Sequence, residues 1–430
     1  MKKLILLIAL IPSLSMAKTV SDLKSLLEIA IKNNPEIKLS GKEKEISNYQ
    51  FKEAIGNFLP KVKLQYTKTF LSDVPTYKMA LQGLPSTKFS VMEKNFYTLN
   101  LSLTQPLFTG GKLTYNLKMK EELKTVSFYQ FQETVLKVLT NVKKDYYNLS
   151  EAKSAVEIAE SYLQAAKRHL KDVKAFFDEG IVPKRDLLEA KVRVRDAEEQ
   201  LEKARRTYKV ALEKLKNDVG INDIEIKVEK LEYLPVNLTE KELLHLAFEN
   251  RPLLKYLRSL KKSTDYAVKL SYSQFLPNIV LNLSYDRTNQ YPMNGNFDNT
   301  AVGITIQLPI FEGIQRFWKV KEAKTQKAKA EISIKKAKDL IKLQVISAYT
   351  ALKAAEARIK TAKIMVEEAK ELLRDSEERY KEHVGTSTEV TDAIAYYVKA
   401  KGYLNSALAD YNRALADLEY AVGKSMARRP

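Results

Sequence analysis

The chain has 430 residues, no cysteine and a formal net charge of +19, from 72 basic against 53 acidic side chains. The lack of cysteine excludes a disulfide framework and an acylated cysteine anchor, and His169, His245 and His383 are too far apart to match any metal-ligand spacing. The excess lysines are scattered along polar helix faces with no Arg-rich block, so the charge does not point to nucleic acid.

Residues 1–17 read as a secretory signal peptide: Lys2-Lys3, an apolar run from Leu4 to Leu14, and a cut after Ala17. No later stretch reaches the roughly 18 apolar residues of a membrane-spanning helix. The rest is expected to be two structural copies. Leu26-Leu27-Glu28-Ile29-Ala30 leads to Asn34-Pro35, and Leu243-Leu244-His245-Leu246-Ala247 leads to Arg251-Pro252, 217 residues on. Phe58-Leu59-Pro60 returns as Phe275-Leu276-Pro277 at the same offset. From Pro106-Leu107-Phe108 and Pro309-Ile310-Phe311 onward the offset is 203, and it holds to Val219-Gly220 and Val422-Gly423. The expected division is a first repeat at 18–220, a linker at 221–239, a second repeat at 240–423 and a tail at 424–430.

Each copy opens with a short helix broken at Pro35 or Pro252, where proline removes a donor and clashes with the preceding turn. Thr239 with Glu242 predicts a capping box for the second start. Period-two spacing then predicts strands at about 61–70, 96–105, 278–286 and 301–308. Val62, Leu64, Tyr66 and Phe70 alternate with polar residues, as do Leu99, Leu101 and Leu103, Ile279, Leu281 and Leu283, and Val302, Ile304 and Ile306. Strands of this length with one apolar face suit a tilted crossing of a bilayer. Four strands cannot close a barrel, and open edges cannot sit in lipid, so a membrane reading forces oligomerisation.

Long helices are expected at 113–178 and 315–381. Val138, Val142, Tyr146, Leu149, Ala152, Val156, Ala159, Leu163 and Ala166 fall in steps of three and four, the seam of a coiled coil. The same seam returns as Val345, Leu352, Ala355, Ile359 and Ala362. A helix of this length extends roughly 100 Å. After breaks at 178–183 and 381–386, return helices at 184–218 and 388–421 keep the seam, so each copy reads as an antiparallel hairpin with a tight tip. Nothing suggests catalysis: Gly110-Gly111 follows a strand but lacks the rest of a phosphate-cradling loop. Trp318, with Phe317 and Phe311, lies where an interfacial anchor or simple packing at a joint would be found.

The ordered motifs resemble the TolC family of outer-membrane efflux proteins. They are Leu27 to Pro35 and Leu244 to Pro252, the two Phe-Leu-Pro triplets, Gln105-Pro106-Leu107-Phe108 with Gly110-Gly111, and the tips Gly180-Ile181-Val182-Pro183 and Val384-Gly385-Thr386. The resemblance implies a mainly α fold with β: two repeats, each with two transmembrane strands and a coiled-coil α-hairpin, in a trimeric 12-stranded β-barrel continuing into a periplasmic α-barrel. It implies a passive exit duct in the cell outer membrane with a large periplasmic extension, no enzyme, cofactor or metal, and no nucleic acid. The implied partners are two further copies, outer-membrane lipid, a periplasmic membrane-fusion adaptor and an inner-membrane transporter of RND, ABC or MFS type. The duct would serve efflux or type I secretion. It further implies acidic gate rings at Glu389 and Asp392, with Asp186 and Glu189 in the other copy, and adaptor docking at Gly180, Ile181, Val182, Pro183, Val384, Gly385 and Thr386. One departure stands out: in the second tip Val-Gly-Thr is displaced by two residues, and Gly385 falls where the family pattern can carry an arginine that restrains the closed state. A soluble periplasmic coiled-coil adaptor or structural protein is the alternative, although adaptors carry β-rich domains flanking a single hairpin.

Overall fold

A computed structural model describes residues 18–20, 22–79, 85, 87–222, 224–293 and 295–425, so the expected signal peptide lies outside the described residues. The first half of the chain forms β1 (Lys18–Val20), α1 (Leu23–Asn33), α2 (Pro35–Gly56), β2 (Lys61–Phe70), β3 (Thr76–Met79), β4 (Thr87–Ser90), β5 (Asn95–Phe108), α3 (Lys112–Asp178) and α4 (Lys184–Val219). The second half forms β6 (Ile224–Ile226), α5 (Glu240–Asn250), α6 (Pro252–Tyr272), β7 (Asn278–Thr288), β8 (Phe297–Gln307), α7 (Gln315–Lys381) and α8 (Ser387–Val422). The repeat is visible in the lengths: α3 and α7 have 67 residues each, α4 and α8 have 36 each. Two compact units result, one from Lys42–Tyr129 with Leu254–Lys336, the other from Met1–Gly41, Gln130–Leu253 and Ala337–Pro430.

The first unit is built on a four-stranded antiparallel sheet in the order β2-β5-β7-β8. The register puts Lys63, Ser102, Ser284 and Ala301 in one row and Gln65, Asn100, Asp286 and Asn299 in another, so one face is mostly polar. Side chains on that face bond across strands: Asn100 Nδ2 donates to Asp286 Oδ1 at 2.5 Å, and Asn282 Nδ2 to Thr305 Oγ1 at 3.0 Å. The opposite face carries the rows Val62–Leu103–Leu283–Val302 and Leu64–Leu101–Tyr285. On the edge strands this face is uncovered: Val62, Leu64, Tyr66, Val302, Ile304 and Ile306 are 63% to 69% exposed. A solvent-facing sheet would carry polar residues there.

Two departures from the alternation have local causes. β5 runs on through Pro106 to Phe108 because an irregularity between Pro106 and Phe108 absorbs the missing N–H. The segment between β2 and β5 contains a small hairpin, β3–β4, with Tyr77 opposite Phe89. Trp318 is exposed and packs edge-on against Phe317, their centroids 5.5 Å apart.

The second unit buries the seams. Leu23, Leu26 and Ala30 of α1, Val138, Val142, Tyr146 and Leu149 of α3, Leu215 and Val219 of α4, and Ala416 of α8 make one core. Part of the stretch expected as a linker, 221–239, packs into it. Ile224, Ile226 and Val228 are buried in the same core, and β6 pairs in parallel with β1. The strap continues along the helices: Ser150 Oγ donates to Glu229 O (2.6 Å), Asn412 Nδ2 to Glu232 O (3.1 Å) and Tyr411 Oη to Leu234 O (2.6 Å). The repeat also appears at the helix ends. Gly220 and Gly423 close α4 and α8 in the left-handed region, φ 81° and 77°. A Cβ at Gly220 would lie 2.8 Å from Asn33 O, and one at Gly423 3.1 Å from Arg251 Cα. Each return helix therefore docks on the Pro35 or Pro252 helix break, and only glycine permits that approach. The two breaks are capped differently. Asn34 Oδ1 accepts from Glu36 N and Ile37 N, whereas Glu133 of α3 accepts from Leu253 N and pairs with buried Arg251 at 3.0 Å.

Candidate functional site

Both tips lie in the second unit. The α3–α4 turn closes with Gly180 N donating to Phe177 O and Ile181 N to Phe176 O (2.9 and 2.8 Å), with Gly180 at φ 74°. Pro183 is the N-cap of α4, and Asp186 sits in the first turn. The α7–α8 turn closes with Val384 N and Gly385 N both donating to Arg379 O at 3.0 Å. Thr386 caps α8, its hydroxyl accepting from Glu389 N at 3.2 Å.

The residue answering Gly180 at the 203 offset is His383, and it holds the same left-handed conformation, φ 62°. For a non-glycine residue this costs about 1–2 kcal/mol. Its ring lies on Phe176, 4.8 Å between centroids, which offsets part of the strain. His383 falls within the expected break at 381–386, where it makes the turn. Gly385 has ordinary backbone but sits tightly against the α7 end, where a Cβ would be 3.1 Å from Arg379 Cβ.

His169, which belongs to no metal-ligand pattern in the sequence, is a core residue of the tip. It is 6% exposed, and its Nε2 lies 2.9 Å from Ser387 Oγ at the start of α8. Its ring meets Tyr380 of α7 at 5.3 Å. Around it Tyr162, Ala166, Val173, Ala190, Val390 and Ile394 form a core shared by both hairpins. Burial holds the His169 imidazole below its usual pKa, with the nearby acids Asp172, Asp186 and Glu189 pulling the other way. Burial likewise raises the Tyr380 phenol.

The expected gate acids therefore fall in two settings. Asp186 and Glu189 are half-buried beside His169, on the side of α4 facing the second hairpin. Glu389 and Asp392 are exposed on the first turns of α8, while Val390, Thr391 and Ala393 between and beside them are buried. Of the expected docking residues, Ile181 and Val384 are 48% and 67% exposed, whereas Val182 packs on the shared core. Among the described residues no three or more His, Cys, Asp or Glu are grouped to hold a metal, and no helix is long and apolar enough to cross a membrane.

A sheet with one polar and one uncovered apolar face, in a chain with two equivalent helical hairpins, defines an outer-membrane channel subunit rather than an adaptor. The chain belongs to the outer membrane efflux protein family, whose model matches residues 26–220 and 243–424. It is 24% identical to the outer membrane protein TolC of Salmonella enteritidis over 447 residues, 98% of this chain and 86% of that one. It is 23% identical to the alkaline protease secretion protein AprF of Pseudomonas aeruginosa over 196 residues, 46% of this chain and 38% of that one. The crystal structure of the Campylobacter jejuni CmeC outer membrane channel superposes with a TM-score of 0.77 at 19% identity, over 95% of this chain and 87% of that one. The protein is thus an outer-membrane exit duct with a TolC-like fold, a conduit rather than an enzyme.

Proposed function

We propose that three copies close the duct, each repeat supplying two strands and one hairpin, with β8 of one copy pairing β2 of the next in a twelve-stranded barrel. The observation that carries this is the pair of free sheet edges, β2 and β8, flanked by exposed apolar side chains. Unpaired backbone groups in hydrocarbon cost several kcal/mol each, so the edges must be paired in the membrane. The hairpins close into the periplasmic α-barrel, and its tip admits cargo when a membrane-fusion adaptor and an inner-membrane transporter of RND, ABC or MFS type engage it. Ile181 and Val384 are the apolar contacts available to an adaptor, supported by their exposure beside the tightly closed turns at Gly180, Pro183, Gly385 and Thr386. Both efflux and secretion fit this assembly, since a duct performs no chemistry on its cargo.

Glu389 and Asp392 are the gate acids in this reading. A threefold tip gathers six such carboxylates, which attract cations at short range and lose that attraction in salt. Asp186 and Glu189, half-buried near His169 and preceded by Lys184 and Arg185, are the weaker candidates. Single-channel recording in planar bilayers tests the assignment, with hexamminecobalt(III) added to each side in turn. Block from the tip side is expected, and Glu389→Gln with Asp392→Asn should relieve it. Unchanged block would place these acids on the outer surface.

A further inference from the structure

The sheet-bearing unit contains a cleft of about 580 Å³ at the helix end of the polar sheet face, lined by Lys61, Thr104, Asn278 and Gln307 from the four strands. Lys112 from the start of α3 and Lys319 from the start of α7 line it too. Lys63 lies two residues further along the same face, opposite Ser102. Lys61, Lys63 and Lys112 are exposed, as is Lys319, and among the described residues none of the four has a carboxylate within ion-pair distance. One acid lines the cleft, Glu312, and it is engaged by Arg316, a buried guanidinium that also donates to Pro309 O at 3.0 Å. That pair is neutral. The one acid on the polar face of the four strands is Asp286, which accepts from Asn100 and Ser284. It stands eight residues along β7 from Asn278, about 26 Å at the rise of an extended strand. Its row is the next one along the face from that of Lys63 and two rows from that of Lys61, but its carboxylate is already occupied by Asn100 and Ser284.

The polar sheet face is the lumen wall in the duct reading, on which this inference rests. We infer that the base of the barrel carries a cationic collar, formed by Lys61, Lys63, Lys112 and Lys319 of each copy, that binds and concentrates small organic anions bearing carboxylate, phosphate or sulfonate groups. Charges of one sign on the wall of a narrow channel reinforce one another, because the low-dielectric wall focuses their field into the water they enclose.

The test uses the full-length protein in planar bilayers, with inorganic tripolyphosphate as the probe added to each side in turn. Block from the barrel side is expected. The triple variant Lys61→Gln, Lys112→Gln, Lys319→Gln should raise the half-blocking concentration at least about tenfold, the loss of a single charge-assisted contact per site or more. These side chains are exposed and unpaired, so conductance itself should persist. Lys68→Gln is the control, since Lys68 lies on the opposite sheet face, and it should leave block unchanged. Channels not blocked by tripolyphosphate, block unaffected by the triple variant, or equal relief by Lys68→Gln would each overturn the collar while leaving the duct intact. Absence of any conductance would instead overturn the duct reading, and the collar with it.

Discussion

Neighbouring residues Asn100 and Leu101 give the sharpest test of the strand faces. Leu101 stands on the apolar face between Leu64 and Tyr285 and is 43% exposed; Asn100 stands on the polar face between Gln65 and Asp286. Leu101→Arg puts a guanidinium toward lipid, at about 2–4 kcal/mol per chain near the bilayer midplane. In a threefold assembly that sums to roughly 6–12 kcal/mol, comparable to the whole stability of an ordinary domain. Asn100→Arg loses the hydrogen bond to Asp286 and gains an ion pair with the same carboxylate, so the net change should stay within about 1 kcal/mol. The assay is the fraction of protein recovered from the outer membrane as a detergent-stable oligomer. Leu101→Arg should collapse that fraction and Asn100→Arg should preserve it. Equal behaviour of the two variants would refute the assignment of faces.

Two further predictions concern proton-linked groups in the helical unit. Burial, together with Asp145 alongside, pushes the Asp218 carboxyl up to about 6, so its contribution is full below the unfolded value near 4 and is lost as pH rises through about 6. Asp218→Asn should therefore stabilise the protein at pH 7.5, by about 1 kcal/mol once solvent screening of this half-exposed group is allowed for. The gain should shrink by pH 4.5; urea midpoints at the two pH values check this, and an equal gain at both contradicts it. His169 has the opposite sign: its folded pKa lies below the unfolded value near 6.5, so its contribution is full at pH 7.5 and falls as pH drops through 6.5. Amide exchange around Val173 and Ile394, corrected for intrinsic rate, should quicken between pH 7.5 and 5.5 in the wild type and not in His169→Gln.

The parts of the fold legible in the sequence share one property: a long, single periodicity. The alternation around Leu64, Leu101, Leu281 and Ile304 marked the strands, and the 3.5-residue seam through Val142 and Val345 marked the hairpins. The strap at Ile224, Ile226 and Val228 carried too few residues for a period to show. Its burial comes from neighbours on α1, α3 and α4 that are distant in sequence. At the tip the failure was of another kind. A helix in a pair of packed hairpins buries a second face, and a single seam reveals one, so nothing in the seam marked His169, Ser387 and Thr391, although all three are buried. His383 was recoverable. The 203 offset sets it against Gly180, and histidine is among the residues that tolerate the left-handed conformation.

The central claim is that this chain forms a membrane duct only by lending its two open sheet edges to further copies. The protein mass of the purified, detergent-solubilised assembly, from light scattering corrected for bound detergent, tests it most directly. A mass of three chains is expected, because four strands per chain then make twelve with no free edge. A mass of one chain would contradict the account, and a mass of two would contradict the threefold closure.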